Sequence, residues 1–257
     1  MDNPKLNDGM KKFLQTSGSP KFQAFQGMKI DSATFLDEIP GRERCAGCSK
    51  SRKFFCYTCY VPMPLLEARI PKVKLPLSLA VVKHAQEIDG KSTAIHGKIL
   101  APESVEMFTY PDLPNTDKSI LVFPADDAED VGVFVERIKS ENEGIFPYNQ
   151  VIFVDSTWNQ TYKICHDPKL INLPRVKLCG IESLFWRYQR GNPITHLSTI
   201  EAMYHFCVAF HKTAVSPDYG GDYDNLLFFF RYMFFKIRGI YDPKSLRSYQ
   251  TRPYLQQ

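Results

Sequence analysis

The sequence predicts an α/β domain with a mostly parallel sheet, and two features of the chain carry that expectation. Short apolar runs, Ser119–Phe123 (SILVF) and Val151–Val154 (VIFV) among them, are separated by stretches with helical spacing. Strands buried on both faces read as such runs, and a helix between two of them is the usual crossover of a parallel sheet. The composition supplies the core: 44% of the 257 residues are hydrophobic, against 23% charged, enough for one large domain with a small satellite.

Taken in order, residues 1–41 form an N-terminal extension whose first 25 residues are polar and expected to be weakly ordered. Asp31-Ser32 is positioned to cap a short helix through Glu38, stopped by Pro40-Gly41. Residues 42–76 hold a cysteine block and then a connector expected to be extended, because Pro62, Pro64, Pro71 and Pro76 disfavour helix. The main domain, residues 77–240, opens with a strand over Leu77–Lys83. SILVF follows, then a helix over Asp126–Lys139, the strand VIFV, a polar turn at Asp155-Ser156, a helix to Cys165 and a strand over Arg175–Leu178. Ser198-x-x-Glu201 is a capping box opening a helix to Lys212. The last helix, Asp222–Arg238, is apolar nearly all round and so expected to be buried. Residues 241–257 are a basic tail, and from Lys236 to Arg252 five cations (Lys236, Arg238, Lys244, Arg247, Arg252) face one acid, Asp242. Such a cluster suits either phosphate contact or a solvated tail. The net charge of +4 implies no partner by itself.

The cysteine block contains Cys45-Ala-Gly-Cys48 and Cys56-Tyr-Thr-Cys59. Two C-x-x-C pairs this close can each grip one side of a tetrahedral ion, and thiolates suit Zn2+. Four protein ligands would close the shell, which makes the expected metal structural. Lys50, Arg52 and Lys53 lie between the pairs as a basic finger, a weak candidate for RNA phosphate. Cys165, Cys179 and Cys207 sit in apolar contexts and read as reduced core residues. The start of the chain has no signal-peptide pattern, and no window of about 18 apolar residues would span a bilayer. The expected setting is intracellular, in nucleus or cytoplasm, and not secreted.

Ligands of such sheets bind at the carboxyl ends of the strands. That rule directs attention to Phe123-Pro124, to Asp155–Trp158 and to the loop entering Ser198. Asp155 there is suited to accept a proton or to act as an ordinary helix cap; Thr157 is suited to cap the next helix; Trp158 fits either a stacking face or the core.

The same turn carries a resemblance. Asp155-x-Thr157-Trp158, together with His84-x-x-Glu87, Lys91-Ser-Thr93, Phe123-Pro124 near Asp126-Asp127, Arg187, and Leu197-Ser-Thr-Ile-Glu-Ala202, resembles the DTW-domain family over residues 42 to 240. Ala85 departs from the proline that many members carry after the histidine, which loosens a turn and removes no functional group. The resemblance implies a tRNA-uridine aminocarboxypropyltransferase with a SPOUT-like, knotted cofactor site. It implies S-adenosylmethionine as co-substrate and tRNA, not DNA or a membrane, as partner. On that reading Asp155 is the base that removes the N3 proton of a uracil, within the D-loop in close relatives. Phe123, Pro124, Thr157, Trp158, Leu197, Ser198, Thr199 and Glu201 shape the cofactor pocket. His84, Glu87 and Arg187 contact substrate, with Arg187 available to a carboxylate or a phosphate. Two other readings remain: a SPOUT-type RNA methyltransferase, which would release S-adenosylhomocysteine, and a non-catalytic zinc-knuckle RNA-binding adaptor, in which Asp155 only caps a helix.

Overall fold

The computed structural model describes residues 24–187 and 193–240, apart from the side chains of Trp158, Asn159 and residues 238–240. Four two-residue strands build the cysteine-rich entry. β1 (Glu43–Arg44) pairs antiparallel with β2 (Ser51–Arg52), and β3 (Phe55–Cys56) pairs antiparallel with β4 (Val61–Pro62). The main sheet then follows as β5 (Ser78–Lys83), β6 (Val105–Thr109), β7 (Ser119–Val122), β8 (Glu129–Asp130), β9 (Gln150–Asp155) and β10 (Arg175–Lys177). Its six strands run in the order β6-β5-β9-β7-β10-β8, and every pair is parallel. The helices are α1 (Ala94–Leu100), α2 (Val131–Glu141), α3 (Trp158–Cys165), α4 (Thr199–Phe210) and α5 (Phe228–Ile240).

Strand alternation divides the core into two layers. Leu79, Val81, Ile120, Val151, Phe153 and Val176 face a large cluster shared with α1, α2, α4 and α5. Ala80, Val82, Leu121 and Ile152 face the other side, packed with Ile164, Cys165 and Leu170 around α3. Because successive side chains point to opposite faces, Lys83 and Asp155 fall on the large-cluster side, beneath α4. They are register partners at the ends of β5 and β9. α1 and α4 cross so closely that a Cβ on Gly97 would lie 2.4 Å from Met203 Cε.

Several elements differ from the sequence reading. The helix expected from Asp31-Ser32 is a single 3-10 turn over Thr34–Asp37 whose N-cap is Ala33, a residue with no side-chain acceptor to cap it, while the backbone N–H of Asp31 donates to Asn225 Oδ1 at 2.8 Å. The proline-dotted connector is not fully extended: it contains a 3-10 turn at Pro64–Leu66, where Pro64 stands at a position that needs no N–H. α2 starts at Val131, five residues later than expected, since Asp130 is its cap and Glu129–Asp130 belong to β8. α4 continues as a π-helical turn to Val215. The last helix is interrupted at its start by a 3-10 turn, Asp224–Leu227. Phe228, Phe229, Phe230 and Phe234 are buried there, and the other described side chains of α5 are half-buried. Cys165 and Cys207 are buried, but Cys179 is exposed. The expected disorder of the first residues and the tail cations Lys244, Arg247 and Arg252 lie outside the described residues, as does the side chain of Arg238. Among the described residues, no helix is long and apolar enough to cross a membrane.

Residues before the sheet share its core. Phe25 packs on Phe234 and Phe235 of α5, and Leu36, Leu66, Ile70 and Val73 belong to the large cluster. From the cysteine-rich entry, Phe54 meets Tyr232 edge-on at 5.6 Å, and Phe55 meets Phe229 at 5.0 Å. Burial, and to a lesser degree Arg187, pushes His96 down to about 3, so a neutral ring packs between Phe55 and Phe229.

Candidate active site

A cavity of about 640 Å³ opens at the carboxyl ends of β7, β9 and β10, within the range that holds small-molecule ligands. Val122, Phe123 and Pro124 supply one wall, Val154 to Thr157 the floor, and Lys177 and Leu178 a second wall. The loop Thr195–Leu197 and the start of α4 close it above, and the loop after β5 contributes Glu87, Lys91, Ser92 and Thr93.

Asp155 ends β9 at 5% exposure. Its Oδ1 accepts a 2.6 Å hydrogen bond from Thr199 Oγ1, whereas Oδ2 is buried with no full hydrogen bond. Burial raises the Asp155 pKa above the ordinary carboxylate range, against the hydroxyls of Thr199 and Ser92 and the nearby Lys83. Lys83 itself is paired with Asp89. Asp155 caps no helix: Thr157 is the N-cap of α3, in a reciprocal box with Gln160.

The start of α4 is tied to the walls. Ser198 caps it in the expected box with Glu201, and the free N–H of Ile200 donates to Thr93 Oγ1 at 3.3 Å. Glu201 is not a wall residue. It lies at 3% exposure beneath the cavity and accepts from Ser198 N, Ser198 Oγ, Ser183 Oγ and Leu184 N. Two ends of the loop that carries Phe185, Arg187 and His196 are thereby fixed to one carboxylate.

Arg187 lines the cavity, with Nη2 donating to Gly90 O at 3.1 Å and Nη1 buried without a partner. Burial lowers its pKa, and Glu87 pulls it back up. Glu87 is on the wall, and burial, reinforced by Asp155, raises its carboxyl above the usual range. His84 is not on the wall; its Nδ1 accepts from Gln86 N and finishes the turn after β5. The side chain of Trp158 is outside the described residues. Ser92 Oγ stands beside Asp155, close enough to lower its pKa yet short of a well-formed hydrogen bond, and with Asp155 Oδ2 and Arg187 Nη1 it is a buried polar atom of the cavity surround left without a full partner in the protein. A buried unpaired donor or acceptor is costly, and a polar ligand would satisfy all three. Ser92, Lys177 and His196 were not legible as wall residues, because nothing in their spacing separates them from ordinary loop polarity.

The four cysteines of the entry converge, with all sulfurs within 4.8 Å of one another. Tetrahedral Zn–S bonds of about 2.3 Å need sulfurs about 3.8 Å apart, so the group is open by less than 1 Å. Each C-x-x-C turn ends in a left-handed residue, Ser49 (φ 57°) and Tyr60 (φ 59°). Burial pushes the Cys56 thiol up, but the backbone N–H groups of Cys59 and Thr58 together with the neighbouring Cys48 and Cys45 thiols bring it down. A Cβ on Gly47 would lie 3.0 Å from Cys59 Sγ, so the two turns meet this closely only with glycine there. The expected basic finger is not one: Arg52 is buried, stacked 3.7 Å over Tyr57 and bonded to Thr58 Oγ1.

Residues 53–238 match the DTW domain. The chain belongs to the DTW domain family. It is 40% identical over 248 residues to the Xenopus laevis protein named tRNA-uridine aminocarboxypropyltransferase 1, covering 81% of this chain and 85% of that one. The Homo sapiens protein of the same name is 39% identical over 264 residues, covering 87% of each. The Mus musculus one is 39% identical over 236 residues, covering 77% and 78%. No solved structure matches the chain. The DTW domain therefore takes in both the second cysteine pair and the whole sheet, and Asp155, Ser156 and Thr157 of its signature turn stand at the cavity floor.

Proposed function

We propose that this chain transfers the 3-amino-3-carboxypropyl group of S-adenosylmethionine to N3 of an unpaired uridine in tRNA. The observation that carries the reading is Asp155: a buried carboxylate with only one oxygen in a full hydrogen bond, at the floor of a ligand-sized cavity, in a chain about 40% identical over most of its length to proteins named for this transfer. The carboxylate accepts the N3 proton. The nitrogen then forms a bond to the carbon next to the sulfonium, the S–C bond breaks, and its electron pair neutralises the sulfur to give methylthioadenosine. A raised Asp155 pKa suits this step, because a base closer in pKa to the weakly acidic N3 is the stronger catalyst.

The three carbons on the sulfonium are equally activated, so orientation selects the arm. Arg187, with Nη1 unsatisfied, supports this as the partner of the methionyl carboxylate. Phe123, Pro124, Thr157, Leu197, Ser198 and Thr199 line the remaining space and suit the rest of the cofactor, and Glu87 on the same wall suits the incoming uridine. The N3 atom lies on the Watson–Crick edge, which favours a loop nucleotide such as one in the D-loop over a paired one. The four cysteines suit Zn2+ as a structural ion, which supplies a cross-link and no chemistry. The test is the adenosyl by-product of the purified protein with S-adenosylmethionine and unmodified tRNA. Methylthioadenosine is expected; S-adenosylhomocysteine would replace the reading with methyl transfer, and no by-product with tRNA still bound would favour the adaptor.

A further inference from the structure

In the first cysteine turn, strand alternation separates the charges by face. Arg44 pairs in register with Ser51, and Glu43 with Arg52, so Arg42, Arg44 and Ser51 share one face while Glu43 and Arg52 share the other. On that second face Arg52 is turned inward, onto Tyr57 and Thr58 of the second cysteine turn, while Glu43 is exposed. The Arg42 and Arg44 face is turned outward, and both side chains are exposed. Their guanidinium groups are not loose. Arg42 donates to Ser51 Oγ at 3.2 Å and Ser51 O at 2.7 Å, and Arg44 donates to Ser49 O at 3.1 Å. Each fork is anchored through part of its N–H set and keeps the rest for a ligand. Lys50 is exposed at the adjoining turn. Among the described residues no carboxylate pairs with any of the three.

This basic surface is connected to the cavity. The ring under Arg52 belongs to Tyr57, and the position of a Cβ on Gly90 would lie 3.6 Å from Tyr57 Cζ. Gly90 O in turn accepts from Arg187, and its neighbours Lys91 and Ser92 line the cavity. The second cysteine turn therefore sits on the loop that forms the cavity rim, and the hairpin that carries Arg42 and Arg44 packs on that turn through Arg52. Arg42 and Arg44 are about 6.5 Å apart along the strand, close to the separation of neighbouring phosphates in a nucleic acid strand.

We propose that the outward face of the first cysteine turn, carried by Arg42, Arg44 and Lys50, binds the phosphate backbone of the RNA whose base enters the cavity. This rests on the tRNA reading above. Sequence-independent contact by anchored arginines positions the RNA, while the cavity selects the base.

The experiment measures binding of fluorescein-labelled unmodified tRNA to the full-length zinc-loaded protein by anisotropy, without S-adenosylmethionine, across a salt series. The variants are Lys50→Gln, Arg42→Gln/Arg44→Gln/Lys50→Gln and Arg42→Lys/Arg44→Lys, with bound zinc measured on each. Each lost phosphate contact makes the slope of log K against log salt shallower by roughly 0.7–0.9. The triple variant is expected to lose roughly 2–3 from the slope and about tenfold to a hundredfold in affinity at physiological salt, with zinc retained. Lys50→Gln, which removes no described hydrogen bond, should lose about 1 from the slope, and the lysine pair should keep the slope. Unchanged slope and affinity in the triple variant, with wild type binding normally, would overturn the surface and leave the tRNA reading standing. No tRNA binding by wild type would overturn both.

Discussion

Asp155 has one oxygen held by Thr199 and the other buried beside Ser92 with no full hydrogen bond, so its ionised form is costly to the fold and more basic than an ordinary carboxylate. The sign of the linkage follows. Its folded pKa is raised, so between the ordinary and the raised value the native state holds more proton than the unfolded chain, and its contribution to stability falls as pH rises through that window. Asp155→Asn keeps an acceptor for Thr199 and removes the charge. Its melting temperature near neutral pH is therefore expected to equal or exceed wild type, while transfer falls by about 10²-fold or more, the scale of a missing general base. A variant with normal turnover would remove Asp155 from the mechanism. In wild type, kcat/KM should rise with pH through the raised Asp155 value and then level, the break lying above the usual carboxylate range. Arg187 acts at the same scale. Arg187→Gln should weaken S-adenosylmethionine binding by about tenfold or more by calorimetry, with tRNA affinity little changed, and Arg187→Lys should not restore it, because a lysine lacks the planar fork. A loss confined to tRNA affinity would assign the guanidinium to a phosphate instead.

At the scale of elements, the cysteine turns bring their own prediction. Gly47→Val leaves all four ligands in place but puts a branched side chain where Cys59 Sγ stands 3.0 Å from the Cβ position. It should lose most of its bound zinc, read by metal analysis after gel filtration, and melt lower because Phe54 and Phe55 then lose a fixed base. Full metal content in that variant would show that the turns have room to spare. Elements also explain what the sequence revealed. β5, β7 and β9 were legible because these central strands are covered on both faces and so are apolar along most of their length, whereas β10, Arg175–Lys177, buries only Val176. The Ser198–Glu201 box marked the start of α4 to the residue. β6 was not legible, since VEMFT is an edge strand with Glu106 exposed and no continuous apolar run. α1 was missed because Gly97 interrupts a seven-residue helix, and that glycine is there for Met203. The start of α2 was misplaced because acids at Asp126 and Asp127 imitate a first turn, while the cap is Asp130.

For the molecule as a whole, the parallel sheet, its two covered faces and the site at the strand ends were readable from pattern alone. Two long-range facts were not. One is that residues 24–76 share a core with the sheet: pairs such as Phe25 with Phe234 join positions far apart in sequence that no local period links. The other is that Glu201, readable as a cap, also gathers Ser183 and Leu184, because only the fold reveals which loop returns to it. The cavity itself lies where the sheet ends, the loop after β5 and the loop before α4 meet. The most direct test of the account is mass spectrometry of nuclease-digested tRNA after reaction with S-adenosylmethionine and either the wild-type protein or Asp155→Asn. The account predicts an aminocarboxypropyl uridine at a loop position with wild type and little or none with the variant. A methylated base, or equal product from both proteins, would contradict it.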